Sequence, residues 1–215
     1  MEDDTLDRDA RIKLSIGTKE HGSADGQFGL SRGLAFDHHR GLLLVADSSN
    51  HRVQVFSCDD EDDDGSFVSK LGEEGDQPGQ FYHPNGVAID HDHDRILIVD
   101  SFNNRVQSWS LSEQSFLSCI GHRGSRDLKF YCPRGIAIDK HHRRIIIVDT
   151  GDDRLVFLSS IDLSLLFKIG KQGSQPGEFF RPTGIAIDDD RHRIIVVDTD
   201  NHRVQVLSSI DGSFL

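Results

Sequence analysis

The chain has 215 residues, of which 36% are hydrophobic and 28% are charged, and its formal net charge is -12 at pH 7. This length and composition favour a folded protein with its own core and exclude an intrinsically disordered chain. The three cysteines, Cys58, Cys119 and Cys132, form no CxxC pair, which argues against a disulfide framework or a zinc ribbon.

Residues 1–10 form an acidic N-terminal tail, MEDDTLDRDA, with neither a basic start nor an apolar segment. The chain contains no run of about 18 apolar residues, so the sequence predicts no membrane span and no membrane partner. The tail and the acidic run DDEDDD at 59–64 carry most of the negative charge, which leaves the rest of the chain close to neutral. We therefore expect a cytoplasmic protein.

One pattern occurs four times after a short apolar segment, RIKLSIG, at 11–17. Each copy opens on a glycine in G-[LVI]-A-[FI]-D and later carries an aspartate in a phrase such as DTDNHRVQV. The glycines are Gly33, Gly86, Gly135 and Gly184, spaced 53, 49 and 49 residues apart, and the aspartates Asp47, Asp100, Asp149 and Asp198 have the same spacings. Periods of about 40–50 residues are typical of propellers and solenoids.

Each copy contains four short segments rich in Val, Ile, Leu and Phe, as in GIAID, RIIVVD, RVQVL and SFVSKLG. None of them has the apolar spacing of a helix, and turn-forming residues separate them, so they predict four strands per copy. Four strands per repeat are the signature of a propeller blade. The predicted blades are 26–72, 79–121, 128–170 and 177–215, with a further N-terminal strand at 11–17.

The pattern G-x-F-x-x-P-x-G-[IV]-A-[IV]-D, followed by I-[IL]-[IV]-V-D-[ST]-x-N-x-R-V-Q-V, resembles the NHL repeat from about Arg11 to the last residue. The resemblance implies an all-β propeller, in this family usually of five or six blades. It also implies a relation to the substrate- or RNA-binding end of TRIM-NHL ubiquitin ligases; a secreted branch is similar to peptidyl-amidating lyases. Four copies fit either an open arc of a larger ring or a ring that the N-terminal strand closes.

The aspartate of each phrase and the arginine five residues later are expected to pair across a tight turn, which would give every blade the same loop geometry. Asp37, Asp90, Asp139 and Asp188 are expected to cap the next hairpin for the same reason. The paired arginines are Arg52, Arg105, Arg154 and Arg203.

Strand alternation places the loops that join fourth to first strands, and second to third strands, on one face of the propeller. Residues on this face vary between copies, although the glycines and aspartates of the repeat do not. Such variation is typical of a binding surface, and random surface drift also produces it. The candidate binding residues are Arg32, Asn85, Arg134 and Thr183 before the motif glycines, with Tyr82, His83, Phe102, Phe180 and Arg181 near them.

The opposite face is predicted to carry seven of the twelve histidines, in hairpins at 38–40, 91–95, 140–144 and 189–193. We expect adjacent rings to point apart and the blades to separate the hairpin tips, so solvated turns are favoured over a metal site. The acidic run begins like a calcium loop with Asp60, Asp62, Asp64 and Gly65, but Leu71 stands at the twelfth position. No metal is therefore expected.

Catalysis needs a group of residues that occurs once, whereas almost every Asp, Arg and His has a counterpart one period away. No enzyme activity and no cofactor are expected, although a lyase-like propeller stays an alternative. RNA binding is a second alternative, because segment 121–134 has a charge of +3 but 72–85 has -3. DNA binding is not expected. The sequence favours a protein or peptide ligand, and the resemblance implies substrate recruitment for a ubiquitin ligase.

Overall fold

The computed structural model describes residues 15–58, 65–121 and 128–215. Within these ranges the strands form four antiparallel sheets, which are the blades of a β-propeller, so the predicted all-β propeller fold is confirmed. Residues 11–14 of the predicted N-terminal strand and the acidic run at 59–64 lie outside the described residues. The predictions for those two segments stay predictions.

In every blade the strands pair in chain order, starting with the strand nearest the central channel. Blade I contains β1 (Ser31–Asp37), β2 (Leu42–Asp47), β3 (Arg52–Ser57) and β4 (Phe67–Leu71). Blade II contains β5 (Pro84–Asp90), β6 (Arg95–Asp100), β7 (Arg105–Ser110) and β8 (Phe116–Ile120). Blade III contains β9 (Ile136–Asp139), β10 (Arg144–Asp149), β11 (Arg154–Ser159) and β12 (Leu165–Ile169). Blade IV contains β13 (Pro182–Asp188), β14 (Arg193–Asp198) and β15 (Arg203–Ser208).

Blade IV thus has three strands, whereas blades I to III have the four that the repeat predicts. Phe214 forms a single bridge with Leu207, at the place where Phe116 pairs with Trp109 in blade II. Short 3-10 turns join the second and third strands of every blade, and one more lies in the β5–β6 hairpin. These turns are Ser48–Asn50, His91–His93, Ser101–Asn103, Thr150–Asp152 and Thr199–Asn201.

The core lies between neighbouring sheets. Strands β6 and β10 are buried along their whole length, because each lies between two other blades and carries apolar residues on consecutive positions. Phe81 and Phe179 are fully buried wedges at the junctions between blades. Their rings pack on Gly72 and Gly170, where a Cβ atom would collide with the phenyl ring. This close packing explains the glycine that ends the fourth strand.

The motif glycines mark where the innermost strands approach one another. A Cβ at Gly135 would lie 2.6 Å from the carbonyl oxygen of Thr183 in the next blade. Gly33 and Gly86 contact the backbone of the following blade in the same way, whereas Gly184 meets only Val197 of its own blade among the described residues. The four blades therefore surround one axis in chain order, and the succession of contacts ends at blade IV.

The two outer flanks of this succession stay open. Val204 in blade IV is 59% exposed, although Val106, at the same repeat position in blade II, is 0% exposed. On the other flank Leu34 is 66% exposed, against 6% for the equivalent Val87. Because equivalent side chains are buried inside the array and exposed at both ends, the described residues form an arc rather than a closed ring.

A buried arginine joins each inner blade to the one that follows. Arg95 donates to the carbonyl oxygen of Ser160, and Arg144 donates to that of Ser209, each 65 residues further along the chain. Arg193 occupies the same repeat position in blade IV and is exposed. This contact thus occurs at the junctions of blades II and III and of blades III and IV, whereas Leu42 stands at the same position in blade I.

Truncating the inner and outer copies of one valine should separate packing between blades from packing within a blade. Val106→Ala should lower the free energy of unfolding by about 1.5 kcal/mol, because two methyl groups leave a buried site. Val204→Ala should change it by less than about 0.5 kcal/mol, since Val204 already faces solvent. Urea denaturation measures both values; equal losses would contradict the open flank.

Candidate functional site

The candidate site is the loop face, which consists of the 3-10 turns between second and third strands and the loops that precede the first strands. A buried carboxylate at the end of each second strand fastens these two sets of loops together. In blade II the Asp100 carboxylate accepts four hydrogen bonds and is 0% exposed. The donors are the Tyr82 amide (2.7 Å), Asn103 Nδ2 (2.9 Å), Arg105 Nε (2.7 Å) and Gln107 Nε2 (3.0 Å).

The arginine of the pair also holds the loop that enters the blade. Arg105 donates to the carbonyl oxygens of Asp76 (2.7 Å), Gln77 (2.9 Å) and Gln80 (2.7 Å). Blades I and IV repeat the arrangement around Asp47 with Arg52 and around Asp198 with Arg203. The repeated phrase therefore forms the internal frame of the loop face. Its side chains hold the loops in place through hydrogen bonds.

Blade III has a weaker version of this frame. Asp152 and Val156 stand where the other blades have Asn and Gln, so Asp149 keeps the Tyr131 amide (2.7 Å) and Arg154 Nε (2.9 Å) as donors. Burial raises the pKa of Asp149 to about 6; the two donors oppose the shift, and the Asp152 carboxylate adds to it. The loops of blade III are thus held by fewer polar contacts than those of the other blades.

In blade IV, where all four donors are present, the pKa of the equivalent aspartate is shifted in the opposite direction. Burial raises the pKa of Asp198, but hydrogen bonds from the Phe180 amide, Asn201 and Arg203 outweigh it, so the pKa lies below its usual value. Both side chains are 0% exposed, and Asp149 lacks the two amide donors, from Asn201 and Gln205, that Asp198 has.

Adjacent blades are linked on the loop face by residues with left-handed backbone conformation. The Arg181 amide donates to the Asp153 carboxylate across the junction of blades III and IV (2.6 Å), and both residues have φ near +50°. The other two junctions repeat this bond. The Cys132 amide donates to Asn104 Oδ1 (2.8 Å), and the His83 amide donates to His51 Nδ1 (3.1 Å). Positive φ at non-glycine residues is a strained state that neighbouring contacts must hold.

A cavity of about 470 Å³ lies at the mouth of the channel. Every blade contributes to it the residue before its motif glycine, so the four positions predicted from the sequence come together. They are Arg32, Asn85, Arg134 and Thr183. Arg32 is exposed and the other three are partly buried.

An aromatic cluster covers the loop face at the junction of blades I and II. The His51 and Tyr82 rings stack with centroids 5.0 Å apart, and His83 lies 4.5 Å from His51 and 4.8 Å from Phe102. Tyr82 and Phe102 are 41% and 51% exposed. Burial and the nearby His83 lower the pKa of His51, which keeps its ring neutral and its Nδ1 free to accept the His83 amide.

A second cavity, of about 420 Å³, lies beside the channel mouth between blades II, III and IV. Three aromatic side chains form part of its wall: Phe102, Tyr131 and Phe180. Arg134 and Arg181 also line this cavity, so Arg134 belongs to both cavities. Aromatic rings beside guanidinium groups are the residue types that anchor protein interfaces.

Comparison with known proteins places this repeat in a described group. The family model described as NHL repeat matches residues 179–207, which contain the Gly184 motif and the DTDNHRVQV phrase. A family model described as a 6-bladed beta-propeller matches residues 35–133. The chain is a β-propeller that contains an NHL repeat at residues 179–207.

One curated relative is Protein brain tumor from Drosophila melanogaster, which is 33% identical over 81 residues. The match covers 38% of this chain and 7% of that protein, so it spans a small part of the relative's length. Among solved structures, a chain of a Nidogen/Laminin complex has a TM-score of 0.64 at 19% identity, over 84% of this chain and 61% of that one. Hydrazine synthase of Kuenenia stuttgartiensis has a TM-score of 0.66 at 12% identity, over 94% and 51%. At these identities the solved structures show the fold alone.

The propeller brings all nine predicted binding residues onto one face, around two adjoining cavities and the aromatic cluster. That they bind a ligand stays a prediction. Sequence reasoning missed four further residues of this face: His51, Tyr131, Cys132 and Asp153. They stand at positions of the repeat that differ from copy to copy, four residues after the phrase aspartate or three to four before the motif glycine, and that variation was the available signal.

On the opposite face the expectation about histidine rings is wrong. The His39 and His91 rings, from neighbouring blades, lie 4.6 Å apart, and those of His141 and His192 lie 4.9 Å apart. The hairpin tips meet because they follow the innermost strands, which converge on the axis. In the described part of the chain no group of three or more His, Cys, Asp or Glu side chains could hold a metal ion.

Two remaining expectations concern charge and membranes. Of the basic segment at 121–134, residues 122–127 lie outside the described residues, whereas Lys129 and Arg134 are described. The acidic positions Glu73, Glu74 and Asp76 are exposed on the loop face. The described ranges contain no helix of the length and apolar character needed to cross a membrane.

Proposed function

We propose that this propeller is a non-enzymatic scaffold that binds a protein segment across the loop face. The single observation that carries the proposal is the grouping of exposed aromatic and guanidinium side chains around two adjoining cavities. Phe102 and Phe180 are 51% and 38% exposed, and both lie beside Arg134 and Arg181 in the second cavity. Such anchors supply most of the binding energy of protein interfaces when a partner covers them.

The frame of the loop face supports a binding role over a catalytic one. General acid–base catalysis needs a titratable group that can reach a substrate. Asp47, Asp100 and Asp198 are 0% exposed and saturated by the loops that they fasten. The repeated carboxylates therefore have a structural task in every blade, and the variable residues are the ones that face outward.

The relation to TRIM-NHL proteins supports a finer proposal. A propeller that binds protein segments could bring substrates to a ubiquitin ligase, with the transfer chemistry supplied by another module. The support for this step is the resemblance of the repeat and the partial match to Protein brain tumor. The binding role does not depend on it.

Affinity capture with face-specific variants tests the binding role. The bait is the chain itself, and partners are quantified by mass spectrometry for wild type and for Arg134→Glu with Phe180→Ala. The control is Arg191→Glu with Ile161→Ala, a pair of exposed residues away from the loop face, with the same change in charge and the loss of one exposed apolar side chain. We expect the loop-face variant to lose its partners and the control to keep them.

The wild-type protein and the two double variants also test the alternative functions. If partner recovery is unchanged in the loop-face variant, the assignment of the surface is wrong. Ultraviolet crosslinking tests RNA as the ligand. A crosslinking signal that falls as the salt concentration rises would identify RNA rather than protein as the ligand, because counterion release makes such binding salt-dependent.

A further inference from the structure

Arg134 differs from the other partly buried arginines of the loop face. Arg52, Arg105, Arg154 and Arg203 each pair with a buried aspartate. The Arg134 side chain forms no ion pair or hydrogen bond with any described residue; its backbone amide donates to the Val148 carbonyl oxygen (3.0 Å). A guanidinium group carries five N–H donors, so Arg134 presents unused donors at the point where the two cavities meet.

Two more arginines stand close to Arg134. Burial, Arg32 and Arg181 lower the pKa of Arg134, in that order, and Cys132 and Asp200 offset this only in part. Arg181 is partly compensated by Asp200, whose carboxylate lies 3.5 Å from its Nη1. Three guanidinium groups, from Arg32, Arg134 and Arg181, stand against the Asp153 and Asp200 carboxylates, which leaves an excess of one positive charge around Arg134. An anion at this point would relieve the repulsion and satisfy the free donors.

The wall of the second cavity contains a buried hydroxyl group that is free to bind a ligand. Thr150 lines this cavity and is 2% exposed, yet its hydroxyl has no hydrogen-bond partner among the described residues. Buried hydroxyl groups without a partner are rare in folded proteins. Beside it, Tyr131 and Phe180 are 59% and 38% exposed and offer an apolar contact surface.

From this arrangement, and resting on the proposed function, we infer that the loop face selects an acidic protein segment. A carboxylate of the segment binds Arg134, with Arg32 and Arg181 contributing at longer range. The bulky apolar side chain next to that carboxylate enters the cavity lined by Tyr131 and Phe180. The site thereby recognises the combination of an acidic and an apolar residue rather than either alone.

The charges around this centre favour an acidic peptide over a nucleic acid. Glu73, Glu74 and Asp76 are exposed on the same face, and Asp152 is exposed beside blade III. A nucleic acid carries a charge at every nucleotide and would meet these carboxylates on either side of the arginines. A peptide can place one or two carboxylates at Arg134 and leave the acidic margins uncontacted.

Fluorescence polarisation with defined probes tests the inference. The probe is a fluorescein-labelled peptide, Gly-Glu-Glu-Phe-Glu-Glu-Gly, and the matched controls replace all four Glu by Gln or the Phe by Gly. A hexauridylate of similar charge is the nucleic-acid arm. Arg134→Gln should weaken binding of the acidic probe about tenfold or more, because a charge-assisted hydrogen bond is lost. Arg191→Gln, on the opposite face, should change it less than about twofold.

Each outcome either supports or overturns the inference. Preference for the Glu–Phe probe over both controls, together with its loss in Arg134→Gln, supports it. Equal binding of the Gln peptide, preferential binding of the hexauridylate, or insensitivity to Arg134→Gln overturns it. If the captured partners depend on the loop face but the acidic probe does not bind, the inference fails and the scaffold function stands. If the probe binds but no partner depends on the loop face, the scaffold function fails instead.

Discussion

Replacing Asp100 with alanine should lower the free energy of unfolding by about 3–5 kcal/mol. The substitution leaves the buried Arg105 guanidinium without its carboxylate, and it removes the acceptor of the Tyr82 amide and the Gln107 side chain. An uncompensated buried charge is among the most destabilising changes that a single substitution can make. Urea denaturation followed by circular dichroism measures the loss, and Asp100→Asn provides a milder variant with the same shape.

The matched control lies one repeat further along the chain. Asp149→Ala removes the equivalent carboxylate of blade III, where two of the four side-chain and backbone donors are absent and Arg154 also pairs with Asp152 at 2.7 Å. The loss should be smaller, about 1–3 kcal/mol, because Arg154 keeps a charged partner. If both variants lose the same free energy of unfolding, the donors that blade III lacks do not contribute to stability.

The fold could be read from the sequence because the repeat supplies the same information several times. A single segment such as RIIVVD does not distinguish a buried strand from part of a helix, but four copies at a fixed period, separated by turn residues, leave a stack of blades as the consistent solution. The wedge phenylalanines between the blades follow the same period. Phe81 and Phe179 recur at one distance from the motif glycine and are both fully buried.

The contacts between blades could not be read in this way. The hydrogen bond from the Arg181 amide to Asp153 joins residues of different copies, and its geometry depends on two left-handed residues that are neither glycine nor asparagine. The sequence around Arg181 gives no signal for such a state, because the tertiary contact stabilises it. The error about the histidine rings has a similar cause. His39 and His91 are far apart in sequence, and only the convergence of the hairpins brings them together.

The candidate surface is an intermediate case. The sequence identified Arg134, Phe102 and Phe180 as variable positions on one face, since alternation of strands fixes the side on which a loop lies. It did not show that Arg134 lies between two cavities without a carboxylate partner, because residues from several blades line those cavities. Physical proximity, rather than residue type, therefore distinguishes Arg134 from the framework arginines.

The stability of the wild type relative to Asp149→Asn should rise as the pH falls from about 7.5 to about 5. The pKa of Asp149 is raised from an ordinary value of 3.8 to about 6. Between these two values the folded protein holds a proton that the unfolded chain has released, so stability increases with acidity. Linkage gives a rise of about 1.4 kcal/mol over this interval, approaching about 3 kcal/mol near pH 3. Urea denaturation of both proteins at several pH values measures the difference.

Two variants distinguish this titration from a general effect of acid. The difference between wild type and Asp198→Asn should stay level over the same interval, since the lowered pKa of Asp198 places its loss of stability below its ordinary value of 3.8. Asp152→Asn removes the carboxylate that helps raise the pKa of Asp149 and restores the amide donor that Asn103 and Asn201 provide in other blades. In that background the rise should move to lower pH. A level difference for Asp149→Asn between pH 7.5 and 5 would show that blade III fastens its loops as firmly as the others.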